Sequence, residues 1–194
     1  MKLKTKKVNL LLILIAIIGT VIMVVIKGQS FILTIKDLSI IITINGYYIL
    51  SKIFKLKVNE KINFLYILFI FIAHFLGVIV NLYDKIYWFD KFVHFLSGVA
   101  TSVLMLIILV KTNNYKSNFF TVLYILSFTS LVASYWEIFE YLSSVLFGLD
   151  PQRVLLTGVN DTMGDIIVAT LGSMLVSVYY YYNKTKVVNI IKNV

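Results

Sequence analysis

No cysteine occurs anywhere in the chain. Disulfides, thiolate zinc sites and cysteine nucleophiles are therefore excluded. Proline is almost as scarce: Pro151 stands alone, and no stretch rich in proline, glycine or serine marks a linker or low-complexity tract. Charge is sparse as well. Charged residues make up 14% of the 194 residues and hydrophobic ones 60%. An average soluble domain has about 25% charged and about 45–50% apolar residues. This balance excludes an ordinary soluble fold, and equally a disordered chain, which needs low hydrophobicity. No Walker loop, no G-x-S-x-G, no H-E-x-x-H and no dinucleotide fingerprint is present.

What is there is long apolar runs. A membrane-spanning helix needs about 20 mostly apolar residues. Six blocks approach that length, at roughly 8–26, 38–54, 62–82, 92–110, 119–147 and 162–182. The second is interrupted by Asn45, Gly46 and two tyrosines, and the fifth is longer than a bilayer requires. The loops between blocks are short. The expected fold class is an all-α polytopic membrane bundle, forming one integral membrane domain over 1–194. The basic start followed by an apolar run resembles a signal peptide. Its run is too long and lacks a small-residue cleavage site, so it reads as a retained first helix.

The formal net charge is +9, which by itself suggests nucleic acid as a partner. Placement of the charges removes that reading. With the N-terminus inside, the inner segments hold Lys2, Lys4, Lys6, Lys7, Lys52, Lys55, Lys57, Lys61, Lys111, Lys116, Lys184, Lys186 and Lys192, 13 of the 18 basic residues. The outer segments hold Lys27, Lys36, Lys85, Lys91 and Arg153. The positive-inside rule then places both termini in the cytoplasm. Only Glu60 among the nine acids lies on the inner side, so the chain carries about +12 inside and −3 outside. The inner lysines need only water and anionic lipid heads, and the partner implied is the lipid bilayer. Tyrosines at the span ends, Tyr83, Tyr87 and Tyr179 to Tyr182, fit an interfacial belt.

Three stretches break the apolar pattern at the outer ends of spans. Asp90 and His94 are four apart, Glu137 and Glu140 three apart, and Asp161 and Asp165 four apart, so each pair shares a helix face. The fourth and sixth spans enter from outside and the fifth exits there. All six groups therefore lie at one depth, and short loops make their helices neighbours. Asp90 and Asp161 sit at helix starts, where an Asp also serves as a cap. Glu137 and Glu140 lie toward a helix C-terminus, where the dipole disfavours anions, so capping does not account for them. Clustered carboxylates cannot all stay ionised without water, shared protons, bases or a bound cation. The nearby bases, Lys85, Lys91 and Arg153, are expected in loops. A His among several carboxylates suits a divalent first-row metal. The reading assigns Asp90, His94 and Asp161 as metal ligands and Glu137, Glu140 and Asp165 as catalytic groups. His74 in the third span is expected to be structural. Ser97, Gly98, Thr101, Ser102, Ala169, Gly172 and Ser173 are expected to let helices pack closely.

The run Asp90-Lys91-x-x-His94-Phe95-x-x-Gly98, with Trp136-Glu137-x-x-Glu140 and Asp161-Thr162-x-x-Asp165, resembles the YjdF-like family of bacterial inner-membrane proteins. The resemblance covers about Ile62 to Val178 and implies a polytopic membrane protein without specifying a reaction. A looser similarity links the chain to VanZ-like proteins, which share the Asp-Lys-x-x-His opening and are associated with glycopeptide resistance at the cell envelope. Glu140 stands where that group is expected to carry glutamine, and the last motif departs too.

Three functions follow as expectations. The first is a metal-assisted enzyme acting on a lipid or lipid-linked head group at the outer face, with Glu137 or Glu140 as general base. The second is a binding or transport protein for a cation or cationic solute. Against transport stands the lack of any visible broken helix pair, such as a pathway needs. The third is a non-catalytic accessory protein whose acidic cluster locks helices together.

Overall fold

In a computed structural model, residues 2–28, 30–53, 59–152 and 158–192 are described, and the described residues contain helices and no strand. The chain packs as two compact units, Met1–Phe89 and Asp90–Val194. Among the described residues, five helices are long and apolar enough to cross a membrane, and a sixth span results if one bent pair is counted as a single crossing. The all-helical, multi-pass architecture follows from the solvent. In hydrocarbon every backbone N–H and C=O must be satisfied within its own segment.

In the N-terminal unit, α1 runs Lys2–Lys27. The second apolar block is not one straight helix beginning at 38. It starts earlier and is divided into α2 Phe31–Leu38, α3 Ile40–Ile44 and α4 Gly46–Ile53, while its expected last residue, Phe54, lies outside the described residues. The axis bends by 57° between Ile44 and Gly46. A broken helix pair, where none was expected, is therefore present. The cause is local. Asn45 turns its side chain back to the Ile41 carbonyl (2.9 Å). A Cβ at position 46 would meet the Tyr66 hydroxyl, so the glycine leaves room for the tyrosine there.

The third span begins with α5, Glu60–Ile70, capped by the Asn59 side chain on the amides of Lys61 and Ile62. It continues as a wide π-helical segment over Phe71–Ile79. It ends short of Leu82, because Asn81 adopts left-handed backbone (φ 67°) and a short α6, Leu82–Lys85, follows. Ala16, Ile40, Ile44, Ile67 and Ile79 form the core of this unit.

The C-terminal unit has three long helices. These are α7 Phe89–Lys111, α8 Asn118–Phe147 and α9 Val159–Lys192. The boundary between units falls in the first turn of α7. The fifth block is thus one continuous 30-residue helix, started by a Ser117 cap and stopped by Gly148 in left-handed backbone (φ 65°). The sixth continues past Tyr182, with a break at Asn183, after which Val187, Val188 and Ile191 fold into the unit's core. Tyr180 belongs to that core rather than to an interfacial belt. It is fully buried and donates its hydroxyl to the Tyr115 carbonyl (3.1 Å).

Lipid tails are as apolar as leucine, so helices here associate through close fit and hydrogen bonds rather than through the hydrophobic effect. The fit is tightest between α7 and α9. A Cβ on Gly98 would collide with the Ala169 carbonyl oxygen, and one on Gly172 with that of Phe95. Between α7 and α8 the contact is polar. Thr129 Oγ1 lies 3.2 Å from Thr101 Oγ1 and 3.0 Å from Ser102 Oγ. The small residues read as packing elements thus include hydroxyls that bond across the interface.

Candidate metal and acid–base centre

The glycine-mediated crossing of α7 and α9 brings the opening turns of both helices together. His94 Nε2 lies 3.6 Å from Asp90 Oδ1, one turn back on α7, and 3.7 Å from Asp165 Oδ1 on α9. One ligand atom from each of the three residues fits within a sphere where all separations are under 4.8 Å. A single ion could bridge atoms so spaced. His94 and Asp165 are buried and Asp90 is partly so.

Lys91 is not in a loop. It lies in the first turn of α7 and reaches across to α9, where Nζ donates to Asp161 Oδ1 (2.5 Å), the Asp161 carbonyl (3.1 Å) and Asp165 Oδ1 (2.9 Å). Its stem runs over Gly164, where a Cβ would stand 3.1 Å from Lys91 Cε. The two aspartates of α9 therefore differ. Asp161 is held by the ammonium, and its Oδ2 is buried with no hydrogen-bond partner among the described residues. Asp165 faces both Lys91 and His94. Of the expected ligand set, the structure brings Asp90 and His94 together with Asp165, whereas Asp161 pairs with Lys91.

Glu137 and Glu140 project from the C-terminal half of α8. Glu137 is 4% exposed and lies well inside α8, which continues to Phe147, so the terminal dipole, felt only within the last turn, does not reach it. The turn after α8 returns Gln152 onto it, and Gln152 Nε2 donates to the Glu137 carbonyl (3.0 Å) and to Oε2 (3.1 Å). Glu137 Oε1 is buried without a hydrogen-bond partner among the described residues. The carboxylate is close enough to His94 and Asp165 to interact electrostatically with both. Glu140 is less deeply placed and accepts from Trp136 Nε1 (2.9 Å) on its own helix face. A cleft beside Glu137 is walled by Ile138, Tyr141, Gln152, Val159 and Thr162.

The sequence marks Lys91 as a nearby base, three positions before His94 and so close to its face, but its length and the neighbouring helix bring it onto Asp161 and Asp165. Gln152 follows Pro151 in a turn and carries no motif. Of the other bases, Lys85 donates to the Val80 carbonyl (2.8 Å), and Arg153 lies outside the described residues. His74, expected to be structural, belongs to the N-terminal unit. There its Nδ1 lies 3.1 Å from Thr43 Oγ1.

An uncharacterized protein of Thermotoga maritima is 27% identical over 143 residues, covering 71% of each chain. No solved structure matches this chain. The model of one family, described as predicted membrane protein (DUF2238), matches residues 8–186. That span takes in nearly every helix described above, and the chain belongs to this family of membrane proteins.

Proposed function

We propose that this protein binds a divalent cation through Asp90, His94 and Asp165 and uses it at the outer face of the bacterial cell membrane, on a lipid or lipid-linked head group. The observation that carries the reading is the convergence of three ligand atoms, a histidine nitrogen and two carboxylate oxygens, within 4.8 Å of one another. Three protein ligands, rather than four, are the pattern of catalytic rather than structural sites. An ion so held would polarise a phosphate or carbonyl oxygen or activate a water. Glu137, with one carboxylate oxygen unpartnered, would take the proton from that water. Asp165 serves as ligand in place of Asp161 because its Oδ1, which also accepts from Lys91, is the carboxylate oxygen of α9 that faces His94 Nε2. Glu140 is the weaker candidate for acid–base work, since Trp136 occupies it.

The outward orientation, with both termini cytoplasmic, rests on the lysine distribution along the chain. Resemblance of the three motifs to the YjdF-like family supports an inner-membrane location.

The test is elemental mass spectrometry of detergent-purified protein beside His94→Ala, Asp165→Asn and Asp161→Asn variants. Near-stoichiometric metal in the wild type and Asp161→Asn, lost in the other two, would support the reading. Lipid-linked phosphates would then be assayed first. No metal above background in folded wild-type protein would sink it. A cation-transport reading stands second, favoured by the broken helix pair in the N-terminal unit.

A further inference from the structure

The N-terminal unit holds a second polar centre, distinct in composition from the first. It gathers where the span bends. Thr43, two residues before Asn45, offers its carbonyl to the Tyr66 hydroxyl (2.6 Å) and its own hydroxyl to His74 Nδ1 (3.1 Å) or the Ile40 carbonyl (3.3 Å). The His74 ring also meets the Lys36 backbone carbonyl and interacts electrostatically with Asp37. Asp37 is buried, 1% exposed, and pairs with Lys27 at 3.4 Å. Tyr66 and His74 both belong to the third span, and His74 sits in its π-helical stretch. Such wide turns are uncommon and occur disproportionately at functional sites.

Counting protons decides what this centre is built for. Three contacts need a hydrogen: ring to Lys36 carbonyl, ring to Thr43 hydroxyl oxygen, and Thr43 hydroxyl oxygen to Ile40 carbonyl. The two carbonyls can only accept. A neutral imidazole brings one N–H and the threonine one O–H, so one contact lapses. An imidazolium brings two N–H groups, and all three contacts close. Asp37 supplies the counter-charge for the extra proton. The other charged or titratable groups around the ring are Lys36 on the same helix as Asp37, Lys27 at the end of α1, and Tyr66.

We propose that His74 is a proton-binding site that locks the break in the N-terminal unit. In the neutral state one of the three contacts lapses: with the proton on Nδ1 it is the ring to Lys36, and with the proton on the other ring nitrogen Thr43 bonds either the ring or Ile40. Uptake of one proton closes all three, with Thr43 accepting from the imidazolium and donating to Ile40, tying α2 and α3 to the third span. Release of that proton frees one of the three contacts and loosens the bend. The ligand is the proton itself, and the device is independent of any metal at Asp90, His94 and Asp165.

The chain has only two histidines, which makes the test direct. Full-length protein with ¹⁵N-labelled histidine in lipid nanodiscs is titrated by NMR from about pH 8 to about pH 5, the range in which histidine changes charge. A His94→Gln variant leaves His74 as the single signal. The expected result is conversion of His74 to imidazolium within this range. Asp37→Asn and, separately, Thr43→Val should each weaken proton affinity about tenfold, moving the midpoint about one pH unit lower. Amide exchange over residues 40–46, corrected for its intrinsic pH dependence, should slow as His74 becomes charged and lose that response in His74→Gln. A His74 that stays neutral throughout overturns the proposal. So does a titration whose midpoint is unmoved in Thr43→Val, the variant that removes a hydroxyl without leaving a buried charge unpaired.

Discussion

Lys91 on α7 donates to Asp165 on α9 at 2.9 Å while reaching Asp161 with the same nitrogen. One ammonium thus serves two carboxylates from residues 70 and 74 positions away. Its side chain is 32% exposed, against 12% for Asp161 and 4% for Asp165. This lies between the exposed pairs worth about 0.2–1 kcal/mol and buried pairs whose breaking costs about 3–5 kcal/mol. Lys91→Met should therefore lower stability by about 2 kcal/mol, read as a reduced melting temperature in detergent. The double change Lys91→Met with Asp161→Asn should recover part of that loss, because one stranded charge is removed with its partner.

Gly98 and Gly172 set how closely α7 and α9 approach. The atoms a new Cβ would strike are backbone carbonyl oxygens of Ala169 and Phe95, which cannot swing aside. Gly98→Ala and Gly172→Ala should each cost about 1–3 kcal/mol through overpacking. Each should also reduce any metal bound, by moving Asp165 away from His94. An alanine at Gly164 meets only the flexible Lys91 stem (3.1 Å) and should disturb stability less. Melting and metal content of the three variants compare these outcomes directly.

If the ion is held by Asp90, His94 and Asp165, its binding stabilises the folded protein by mass action, about 2.7 kcal/mol at a free concentration 100 times the dissociation constant. Treatment with EDTA should lower the melting temperature of wild-type protein. The shift should vanish in His94→Ala and Asp165→Asn and persist in Asp161→Asn. Equal EDTA responses in all four proteins would mean that the ion sits elsewhere.

Gln152 holds Glu137 by two contacts from one nitrogen, one to backbone and one to carboxylate. Gln152→Leu removes a donor from a buried anion, and hydrogen bonds to charged groups contribute about 1.5–3 kcal/mol. Stability should fall by about that amount. Glu137→Gln should be better tolerated, since it removes the buried charge and keeps the side-chain shape. Chemical denaturation of the two variants tests this order. If Glu137→Gln proves the more damaging, the carboxylate charge is a structural requirement.

Much of this protein was legible from the run of residues. Apolar blocks of bilayer length announce spanning helices, whereas the caps Asn59 and Ser117, which start two of them, were found only in the structure. The i, i+4 spacing of Asp90 and His94 puts them on one face without knowledge of any neighbour. The broken second span was harder to read. Asn45 and Gly46 mark an interruption, but the bend depends on the Tyr66 hydroxyl from another helix occupying the space beside Gly46. Tyr180 looked interfacial by its place in a tyrosine cluster, yet α9 continues past it and folds Val187, Val188 and Ile191 back over it.

The sequence by itself determined the membrane-spanning, all-helical character. A chain with so many apolar residues has no water to satisfy its backbone, and only intra-segment hydrogen bonds remain. It also determined which polar groups were present and how they repeat along each helix. The tertiary structure alone decided their partners: Asp165 rather than Asp161 beside His94, Lys91 across the helix crossing, Gln152 folded onto Glu137, and His74 against the bend. Helical periodicity sets the direction in which a side chain leaves its own axis. The distance to a group on another helix depends on where two axes cross, and here that is set by the absence of a Cβ at Gly98, Gly172 and Gly46.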